Sequence, residues 1–329
     1  MRSDLLKIKM ERKELNETGP VDLVYLWVDG NDPEFRARRN AALHRTEKVS
    51  PANCEGRIAN TDELKYSLRS VEQYAGWIRK IFIVTDNQVP SWLDLSHPKV
   101  EIVNQNDIIP EESRPTFNSV VIEHQLHKIP GLSEHFLYSN DDMYFNRPVE
   151  KSDFFTPDGR PIMRLNRRVF RKLGLWLKKH VQGKEISTYN KSILHAGELV
   201  KGKTGRFIPH KPHHNIDAFT KSLYAKTFDT FRESIEPTLR NQLRSDSDIQ
   251  RVIYSYYPIA QKEAKMEIVS RRKSFRLMID NHKQYARLER YNPMLFCLND
   301  SQFAVDADRL LMKSFLEKRF PVPSSFEKK

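Results

Sequence analysis

The chain has 329 residues, of which 39% are hydrophobic and 10% aromatic. This length exceeds one compact core, so we expect two domains or one α/β domain with a large insertion. The sequence has no run of about 18 apolar residues and no signal-peptide core, which predicts a soluble protein that stays in the cytoplasm. Two distant cysteines, Cys54 and Cys297, lack a metal-ligand spacing and predict free thiols in a reducing compartment.

The charge balance predicts an anionic partner. The sequence has 55 Lys and Arg residues against 43 Asp and Glu, a formal net charge of +12 at pH 7. Nine of the basic residues lie between 160 and 184, a segment without Asp or Glu. This charge suits a nucleic acid, a nucleotide sugar, an anionic polymer or a membrane face, and it does not choose among them.

The first half of the chain predicts an α/β core after an N-terminal arm at 1–20. Apolar segments predict buried strands that end in polar residues at 21–30, 80–86, 99–104 and 135–142. Helical spacing of apolar residues predicts helices at 34–48, 60–75 and 115–129. This alternation indicates a mostly parallel sheet with helices on both faces, and ligands bind such sheets beyond the carboxyl ends of the strands.

The pattern changes after residue 150. We expect an α/β core at 21–150, a basic helical insertion at 151–204, and a helical region at 205–329 that ends with a strand. Mainly helical segments are predicted from about 216 to 265, and the last strand is predicted at 291–300. That strand ends in Asn299 and Asp300, so we expect it to return to the site.

Two adjacent acids follow the predicted strand at 135–142. Asp141 and Asp142 stand between two apolar runs, at the strand end where a ligand would bind. Carboxylate oxygens suit a divalent cation such as Mg²⁺, which bridges protein carboxylates to substrate phosphates. The alternative is a turn that ends the strand and carries solvated acids.

The segment WVDGNDPEF combines an aromatic residue with acids at another strand end. Asp29 and Asp32 surround Gly30, and a simple turn explains the glycine and its neighbours. The turn does not require Trp27 inside the preceding strand. A tryptophan there could form the floor of a nucleobase pocket.

The segment PHKPHHNID contains two prolines and three histidines, His210, His213 and His214. A zinc site is poorly supported, because the segment has no partner cysteines and no helical H-x-x-H pattern with Glu. Neutral imidazoles beside a phosphate could instead act as a general base or as hydrogen-bond donors. A solvated loop is the alternative interpretation.

Arg244 opens the segment RSDSDIQ. Its guanidinium could bind phosphate oxygens through two hydrogen bonds. The following Asp246 and Asp248 are typical of helix caps.

Within the basic segment, helical spacing places apolar residues on one face and cations around the rest. The apolar positions are Val169, Phe170, Leu173, Trp176 and Leu177, and the cations are Arg167, Arg168, Arg171, Lys172, Lys178 and Lys179. Such a helix could rest on an anionic bilayer or bind a polyanion, and the alternative is a surface helix packed on the core.

Taken together and in chain order, these segments resemble the four conserved regions of the Stealth family. The resemblance covers roughly 21–149, 205–258 and 290–305, with the segments DLVYLWVDGNDPEF, NTDELKYSLRS to SNDDMYF, IPHKPHHNID with RSDSDIQ, and FCLND. The family contains bacterial capsule hexose-1-phosphate transferases and the animal lysosomal-enzyme N-acetylglucosamine-1-phosphotransferase.

The resemblance implies a glycosyltransferase-A-like fold and a phosphotransferase that uses a UDP-sugar and Mg²⁺ or Mn²⁺. An acceptor sugar hydroxyl would attack the sugar-proximal phosphorus, UMP would leave, and a phosphodiester would form. The transferred group would be a hexose-1-phosphate, with N-acetylhexosamine-1-phosphate expected. The chain lacks the membrane spans and large inserted modules of the animal enzymes, so a bacterial role in capsule or surface polysaccharide synthesis is expected.

The resemblance also implies roles for individual residues. Metal ligands are expected at Asp141, Asp142 and Asp300. Residues expected to hold the nucleotide and diphosphate are Trp27, Asp29, Gly30, Asp62, Lys65, Arg69 and Asn118. His210 or His213 would be the general base, and Arg244 would stabilise the transferring phosphoryl group.

The basic segment lies where the family motifs are silent. We expect it to contact the growing anionic glycan acceptor or the inner face of the inner membrane. A conventional UDP-sugar glycosyltransferase on the same core, which would release UDP, is the main alternative. A nucleic-acid-binding protein is a further alternative, but the sequence lacks the Gly and aromatic signatures of common RNA modules, so nucleic acid is not expected as a partner.

Overall fold

A computed structural model of the protein describes residues 19–44, 53, 56, 58–168, 174, 176–177, 180–181, 183 and 186–329. Most of the predicted N-terminal arm lies outside these residues. Val169, Phe170 and Leu173 of the predicted apolar helix face also lie outside them, so the structure does not test that face.

Strands and helices alternate along the first half of the described chain. The strands are β1 (Val21–Leu26), β2 (Ile81–Thr85), β3 (Val100–Asn104), β4 (His135–Asn140), β5 (Met143–Phe145), β6 (Ile162–Asn166), β7 (Lys211–Pro212), β8 (Asp217–Thr220), β9 (Lys265–Ile268), β10 (Ser274–Met278) and β11 (Leu295–Asn299). The helices are α1 (Pro33–His44), α2 (Glu63–Tyr74), α3 (Ser119–Glu123), α4 (Thr188–Thr204), α5 (Lys221–Thr230), α6 (Arg232–Leu239), α7 (Ile253–Gln261), α8 (Lys283–Tyr291) and α9 (Asp306–Arg319).

The central sheet has the strand order β3-β2-β1-β4-β8. Its first four strands are parallel, and β8 runs antiparallel to β4. The predicted α/β class with a mostly parallel sheet is confirmed. The helical prediction for 216–265 is wrong at β8, because Ala218 and Phe219 are buried against opposite faces of the sheet and a four-residue strand is too short to show its period.

Apolar cores cover both faces of the sheet. In β1, Leu23 and Tyr25 pack with Leu64 and Leu68 of α2 on one face. On the other face, Val24 lies in a core that also contains residues of α3 to α7. The alternation follows from the period of two along a strand, and it confirms helices on both faces.

Two of the predicted helices are present over part of their predicted ranges within the residues that the structure describes. The predicted helix at 34–48 is present as α1, and its remaining residues lie outside the described chain. The predicted helix at 115–129 begins only at α3, where the Asn118 side chain accepts a hydrogen bond from the Val120 N–H. It ends at His124, whose buried ring lies 2.8 Å from both the Tyr254 hydroxyl and the Ile249 carbonyl.

A second sheet, β10-β11-β5, brings the C-terminal region to the end of β4. The predicted final strand is present as β11, which pairs antiparallel with β5 and places Cys297 opposite Met143. The Leu298 N–H donates to the Asp142 carbonyl at 2.9 Å. This pairing carries Asn299 and Asp300 to the carboxyl end of the central sheet.

The predicted basic insertion is partly buried. Arg164 is only 2% exposed, and its guanidinium bonds to Glu267 and to the Asp153 carbonyl. Helix α4 buries Ile193 and Val200 in the main core. A third sheet, β7-β6-β9, was missed by the sequence analysis, which treated β6 as part of the helical insertion. Among the described residues, every helix falls short of the length and hydropathy needed to cross a bilayer.

Candidate active site

A cleft opens at the carboxyl ends of β1 and β4, where the parallel sheet places ligand sites. Three segments at the ends of strands line it: residues 26–28 at the end of β1, 140–142 at the end of β4, and 298–300 at the end of β11. The other lining residues that matter for chemistry are Phe35, Glu63, Phe117, Ser119, His214 and Arg244. The fold therefore joins both halves of the chain at one site.

One wall of the cleft is aromatic. Trp27 is 5% exposed, and its backbone N–H donates to the Val84 carbonyl at 3.0 Å, which extends the β1–β2 pairing by one residue. Phe35 and Phe117 also line the cleft and meet edge to face, with ring centroids 5.6 Å apart. Aromatic rings can stack against a planar base, and the nucleobase role of Trp27 stays a prediction.

Another part of the cleft lining is acidic. Asp141 and Asp142 keep part of their surface open to the cleft, while Glu63 is buried beside them. Burial, followed by the charges of Asp142 and Glu63, raises the pKa of Asp141 well above its usual value. Burial raises the pKa of Glu63 to about 7, and the Asp142 charge adds to that effect. Crowded carboxylates of this kind fit a divalent cation, which would relieve their repulsion.

Sequence reasoning missed Glu63. The residue lies between Asp62 and Leu64 at the start of α2, where an acid is usually a helix-end residue. Its carboxylate accepts hydrogen bonds from the Thr61 N–H and the Thr61 hydroxyl, at 2.6 and 2.8 Å. These contacts hold it against the cleft floor.

The three predicted metal ligands all line this cleft, but their surroundings differ. Asp300 accepts from the Arg309 Nε at 2.8 Å and from the Ser301 N–H at 2.6 Å. Asp142 instead lies near other donor atoms, because one ligand atom each of Asp142, His214 and Cys297 fall within 4.8 Å of one another. The Cys297 thiol donates to Asp142 Oδ2 at 3.3 Å. These donor atoms around Asp142 could hold a divalent cation, whereas Asp300 is neutralised by arginine.

Of the three neighbouring histidines, the structure brings His214 to the cleft. His213 is 3% exposed, and its ring nitrogens bond to Asp217 Oδ1 at 2.8 Å and to the Ser274 hydroxyl at 3.0 Å. His210 accepts from the Arg168 N–H at 3.2 Å, outside the lining, and burial lowers its pKa. The sequence could not show which of the three histidines reaches the cleft, because the direction of each side chain depends on the path of the backbone between β7 and β8.

Arg244 lies in the cleft, as predicted. Its Nη2 donates to the Ser119 hydroxyl at 2.6 Å, and its backbone N–H donates to Asn53 Oδ1 at 3.2 Å. Asn118 is fully buried beneath it, where its Nδ2 donates to Asp248 Oδ2 at 2.9 Å. Asn118 therefore supports the wall through its neighbours and does not line the cleft.

The other residues predicted to hold the nucleotide lie outside the lining of the cleft. Asp29 Oδ1 accepts from the Asn31 N–H at 2.9 Å and from Asn60 Nδ2 at 3.0 Å, which closes the loop after β1. A Cβ added at Gly30 would overlap the Ile58 carbonyl, so the glycine allows close chain approach. Their nucleotide roles stay predictions.

The predicted phosphate-binding side chains on α2 have protein partners. Asp62 pairs with Lys313 at 2.9 Å, and the Lys65 ammonium lies 6.0 Å from the centroid of the Trp92 ring. Arg69 donates twice to Glu327, at 2.8 Å for each bond, and side-chain exposure is 11% for Arg69 and 8% for Glu327. These contacts attach α2 to α9 and to the C-terminal tail.

The sequence matches models of a known protein family and curated relatives. Family models of the Stealth protein match at residues 19–47 for conserved region 1, 57–163 for conserved region 2 and 286–329 for conserved region 4. Exopolysaccharide phosphotransferase CpsY of Mycobacterium tuberculosis is 39% identical over 324 residues, which cover 94% of this chain and 58% of that protein. Capsular polysaccharide phosphotransferase fcs1 of Haemophilus influenzae is 33% identical over 313 residues, covering 89% of this chain and 81% of that protein.

Solved structures are more distant. Galactosyltransferase LgtC, in complex with donor and acceptor sugar analogues, has a TM-score of 0.45 and 12% identity, covering 92% of this chain and 96% of that one. Mouse xyloside xylosyltransferase 1 has a TM-score of 0.40 and 10% identity, covering 85% and 98%.

The fold and the cleft define an α/β protein whose site lies at the carboxyl ends of its parallel strands. The sequence relatives specify it further: the chain belongs to the Stealth protein family. The resemblance found in the sequence is confirmed. The chain spans 58% of the length of its mycobacterial relative.

The Arg69–Glu327 contact predicts a loss of stability when either partner is replaced. We expect Arg69→Met and Glu327→Gln each to lower the free energy of unfolding by about 3 kcal/mol, because each leaves a nearly buried partner without its counter-charge or hydrogen bonds. The double variant should lose less than the sum of the two. Urea unfolding measures all three. An Arg69→Met variant with unchanged stability but a raised KM for a donor sugar would instead support the diphosphate role.

Proposed function

We propose that the protein transfers a hexose-1-phosphate from a UDP-sugar to a hydroxyl of an acceptor sugar, releases UMP, and acts in capsule or surface polysaccharide synthesis. N-acetylhexosamine-1-phosphate is the transferred group that we favour. The observation that carries the proposal is the joining of an aromatic wall, crowded carboxylates, Arg244 and His214 in one cleft. The phosphotransferase names of the sequence relatives support the same chemistry.

The reaction forms one bond to phosphorus and breaks another. The acceptor oxygen bonds to the sugar-proximal phosphorus, and the bond from that phosphorus to the bridging oxygen breaks, so that UMP leaves with the bridging oxygen. The hydroxyl proton passes to a base on the protein. Because the sugar C1–O bond stays intact, the anomeric configuration is kept. Such a transfer depends mainly on positioning and on neutralising phosphate oxygens.

We assign the base role to His214, since it is the histidine of this segment that lines the cleft and the His213 ring is already hydrogen-bonded to Asp217 and Ser274. Arg244 lines the same cleft. Its guanidinium would donate hydrogen bonds to the oxygens of the phosphoryl group during transfer. Trp27 would stack on the uracil. Asp141 and Asp142 would hold Mg²⁺ or Mn²⁺, which, when bound, supplies charge neutralisation for the diphosphate.

The basic segment supports an anionic acceptor or a membrane contact as part of this proposal. Arg167 and Arg168 are exposed at the end of β6, next to the β7 strand that leads to His214. Trp176 and Leu177 are 53% and 40% exposed, which suits a bilayer surface or a sugar chain.

A conventional glycosyltransferase is the second candidate, because a cleft with an aromatic wall and acids would also bind a UDP-sugar. The two candidates differ in the released nucleotide. Transfer of sugar-1-phosphate releases UMP, and transfer of the sugar alone releases UDP.

The first test identifies that nucleotide. Incubating the protein with UDP-N-acetylglucosamine, Mg²⁺ and a capsule-type oligosaccharide should release UMP and yield a phosphodiester signal in ³¹P NMR. EDTA should stop both, and added Mn²⁺ should restore them, because the crowded carboxylates require a cation. Release of UDP would contradict the proposal and establish the glycosyltransferase alternative.

The three histidines predict a second test. His214→Asn should lower kcat by about 10²–10⁴-fold with the fold retained, as expected for removal of a general base. His210→Asn is the matched control from the same segment, and it should keep kcat, because His210 lies outside the cleft lining. Equal losses of kcat in both variants, or a loss confined to His210→Asn, would remove His214 from this role.

The exposed basic residues predict a third test. Replacing Arg167 and Arg168 with Glu should raise the acceptor KM several-fold or abolish binding to anionic vesicles, with little change in the donor KM. Arg160→Glu is a control from the same segment, since the Arg160 side chain already pairs with Asp158 at 2.6 Å. If the double variant changes neither property, the acceptor and membrane roles of this segment fail.

A further inference from the structure

The surface between the start of β10 and the end of α8 carries three exposed arginines around one tyrosine. Arg271 Nη1 donates to the Tyr291 hydroxyl at 2.7 Å. The guanidinium carbons of Arg271 and Arg290 each lie 5.4 Å from the centroid of the Tyr291 ring. Arg287, one helical turn earlier in α8, is close enough for its charge to act on the tyrosine. We call Arg271, Arg287 and Arg290 the arginine patch.

The arginine patch has no compensating acid. In the part of the chain that the structure describes, no carboxylate forms an ion pair with any of its three members, and the neighbouring Glu289 pairs instead with Arg319 at 2.7 Å. The hydrogen bond from Arg271, together with the charges of all three arginines, lowers the pKa of the Tyr291 phenol. Like charges at such distances repel, so a bound anion would relieve their repulsion.

The chemistry of the patch suits a sugar phosphate. A guanidinium binds phosphate oxygens through two hydrogen bonds, which makes arginine well suited to recognise phosphate. The rings of Tyr291 and Phe275 lie beside the arginines, with centroids 5.5 Å apart. An aromatic face packs against the C–H groups of a sugar ring while polar groups bind at its edge. A chain in which sugars alternate with phosphates matches both parts of this surface.

A bilayer matches the arginine patch less well. Segments that rest on a membrane insert large apolar side chains between the lipid headgroups. Among the described residues, the large apolar side chains that are exposed lie elsewhere, and none falls between 271 and 291. The observations therefore favour a soluble polyanion over a lipid surface.

The arginine patch and the cleft lie at opposite ends of β11. The Met294 N–H, directly before β11, donates to the Arg272 carbonyl at 2.9 Å, which holds the patch at the start of the strand. Asn299 and Asp300, at the other end, line the cleft. The five residues of β11 span about 16 Å. A glycan must extend over at least this length to contact both places.

We propose that the arginine patch binds the phosphodiester-linked part of the growing glycan, behind the sugar whose hydroxyl reacts in the cleft. This inference rests on the proposed function, because each transfer of a sugar-1-phosphate adds one phosphodiester and one negative charge to the acceptor. The patch is separate in sequence from the basic segment at 160–184. An acceptor shorter than β11 contacts the cleft alone, so the patch acts only on longer acceptors.

The test compares a disaccharide acceptor with a phosphodiester-linked oligosaccharide that is longer than β11. In Arg290→Glu we expect the KM for the long acceptor to rise about 5-fold, as for the loss of one exposed ion pair. The KM for the disaccharide and for the donor sugar should stay unchanged. Adding Arg271→Glu should raise the KM for the long acceptor further.

Lys283→Glu is the matched control. Lys283 is exposed on the same helix and undergoes the same change of charge, but it is not among the groups whose charges act on Tyr291. The control should therefore keep the KM for both acceptors.

Direct binding separates the possible partners. Calorimetry with the whole chain and no donor sugar should show weaker binding of the long phosphodiester-linked oligosaccharide to Arg290→Glu than to the unmodified protein. A neutral dextran of the same length should not distinguish the two proteins, and neither should vesicles of phosphatidylglycerol and phosphatidylcholine. A loss of vesicle binding without a loss of oligosaccharide binding would assign the patch to the membrane and overturn the inference.

Three kinetic results would also overturn it: an unchanged KM for the long acceptor in Arg290→Glu, equal increases for the two acceptors, or the same increase in Lys283→Glu. The nucleotide assay separates this failure from failure of the proposed function. UMP release with any of these results removes only the arginine patch. UDP release, with oligosaccharide binding that Arg290→Glu weakens, removes only the phosphotransferase proposal.

Discussion

Repulsion among carboxylates at the end of β4 is the constraint around which the cleft is organised. Glu63, Asp141 and Asp142 come from two elements and converge on one space, and crowding raises the pKa of Asp141 and of Glu63. Protein interiors accept such a cluster when cations or hydrogen bonds offset it. Here Thr61 hydrogen-bonds to Glu63, and a bound divalent cation would offset the rest. A bound cation would therefore stabilise this arrangement of acids.

Positive charge around the cleft is divided between structural and chemical uses. Arg309 neutralises Asp300, and Arg251 pairs with Asp217 at 2.7 Å behind the cleft wall. Arg69 and Lys313 attach α2 to the C-terminal part of the chain. Arg244 lines the cleft and is the guanidinium that we propose for the phosphate oxygens. The net positive charge of the chain therefore does not show which basic side chain contacts the substrate.

Buried residues behind the cleft also contact one of the residues that line it. The chain of contacts from Arg251 through Glu123 and Tyr138 ends at Asn140. Buried networks of this kind hold their members in one arrangement because an unsatisfied member would be costly. The same reasoning explains His213, whose two ring contacts fix the segment that presents His214.

The sequence by itself determined the α/β class, the strands that end in acids, and the family. The apolar pattern of a buried strand is contained in a few consecutive residues, so VDLVYL and HFLYSN predict strands. The polar ends of these strands meet at one edge of the sheet. It also placed Trp27, Asp141, Asp142, Asp300 and Arg244 in one site, and the structure brings these five to a single cleft. Tertiary structure alone decided that His214 and Glu63 join them, while His213 and Arg69 bind protein partners. That choice depends on the direction of each side chain and on contacts such as Arg69 with Glu327, which are 258 positions apart in the chain and leave no local signal in the sequence.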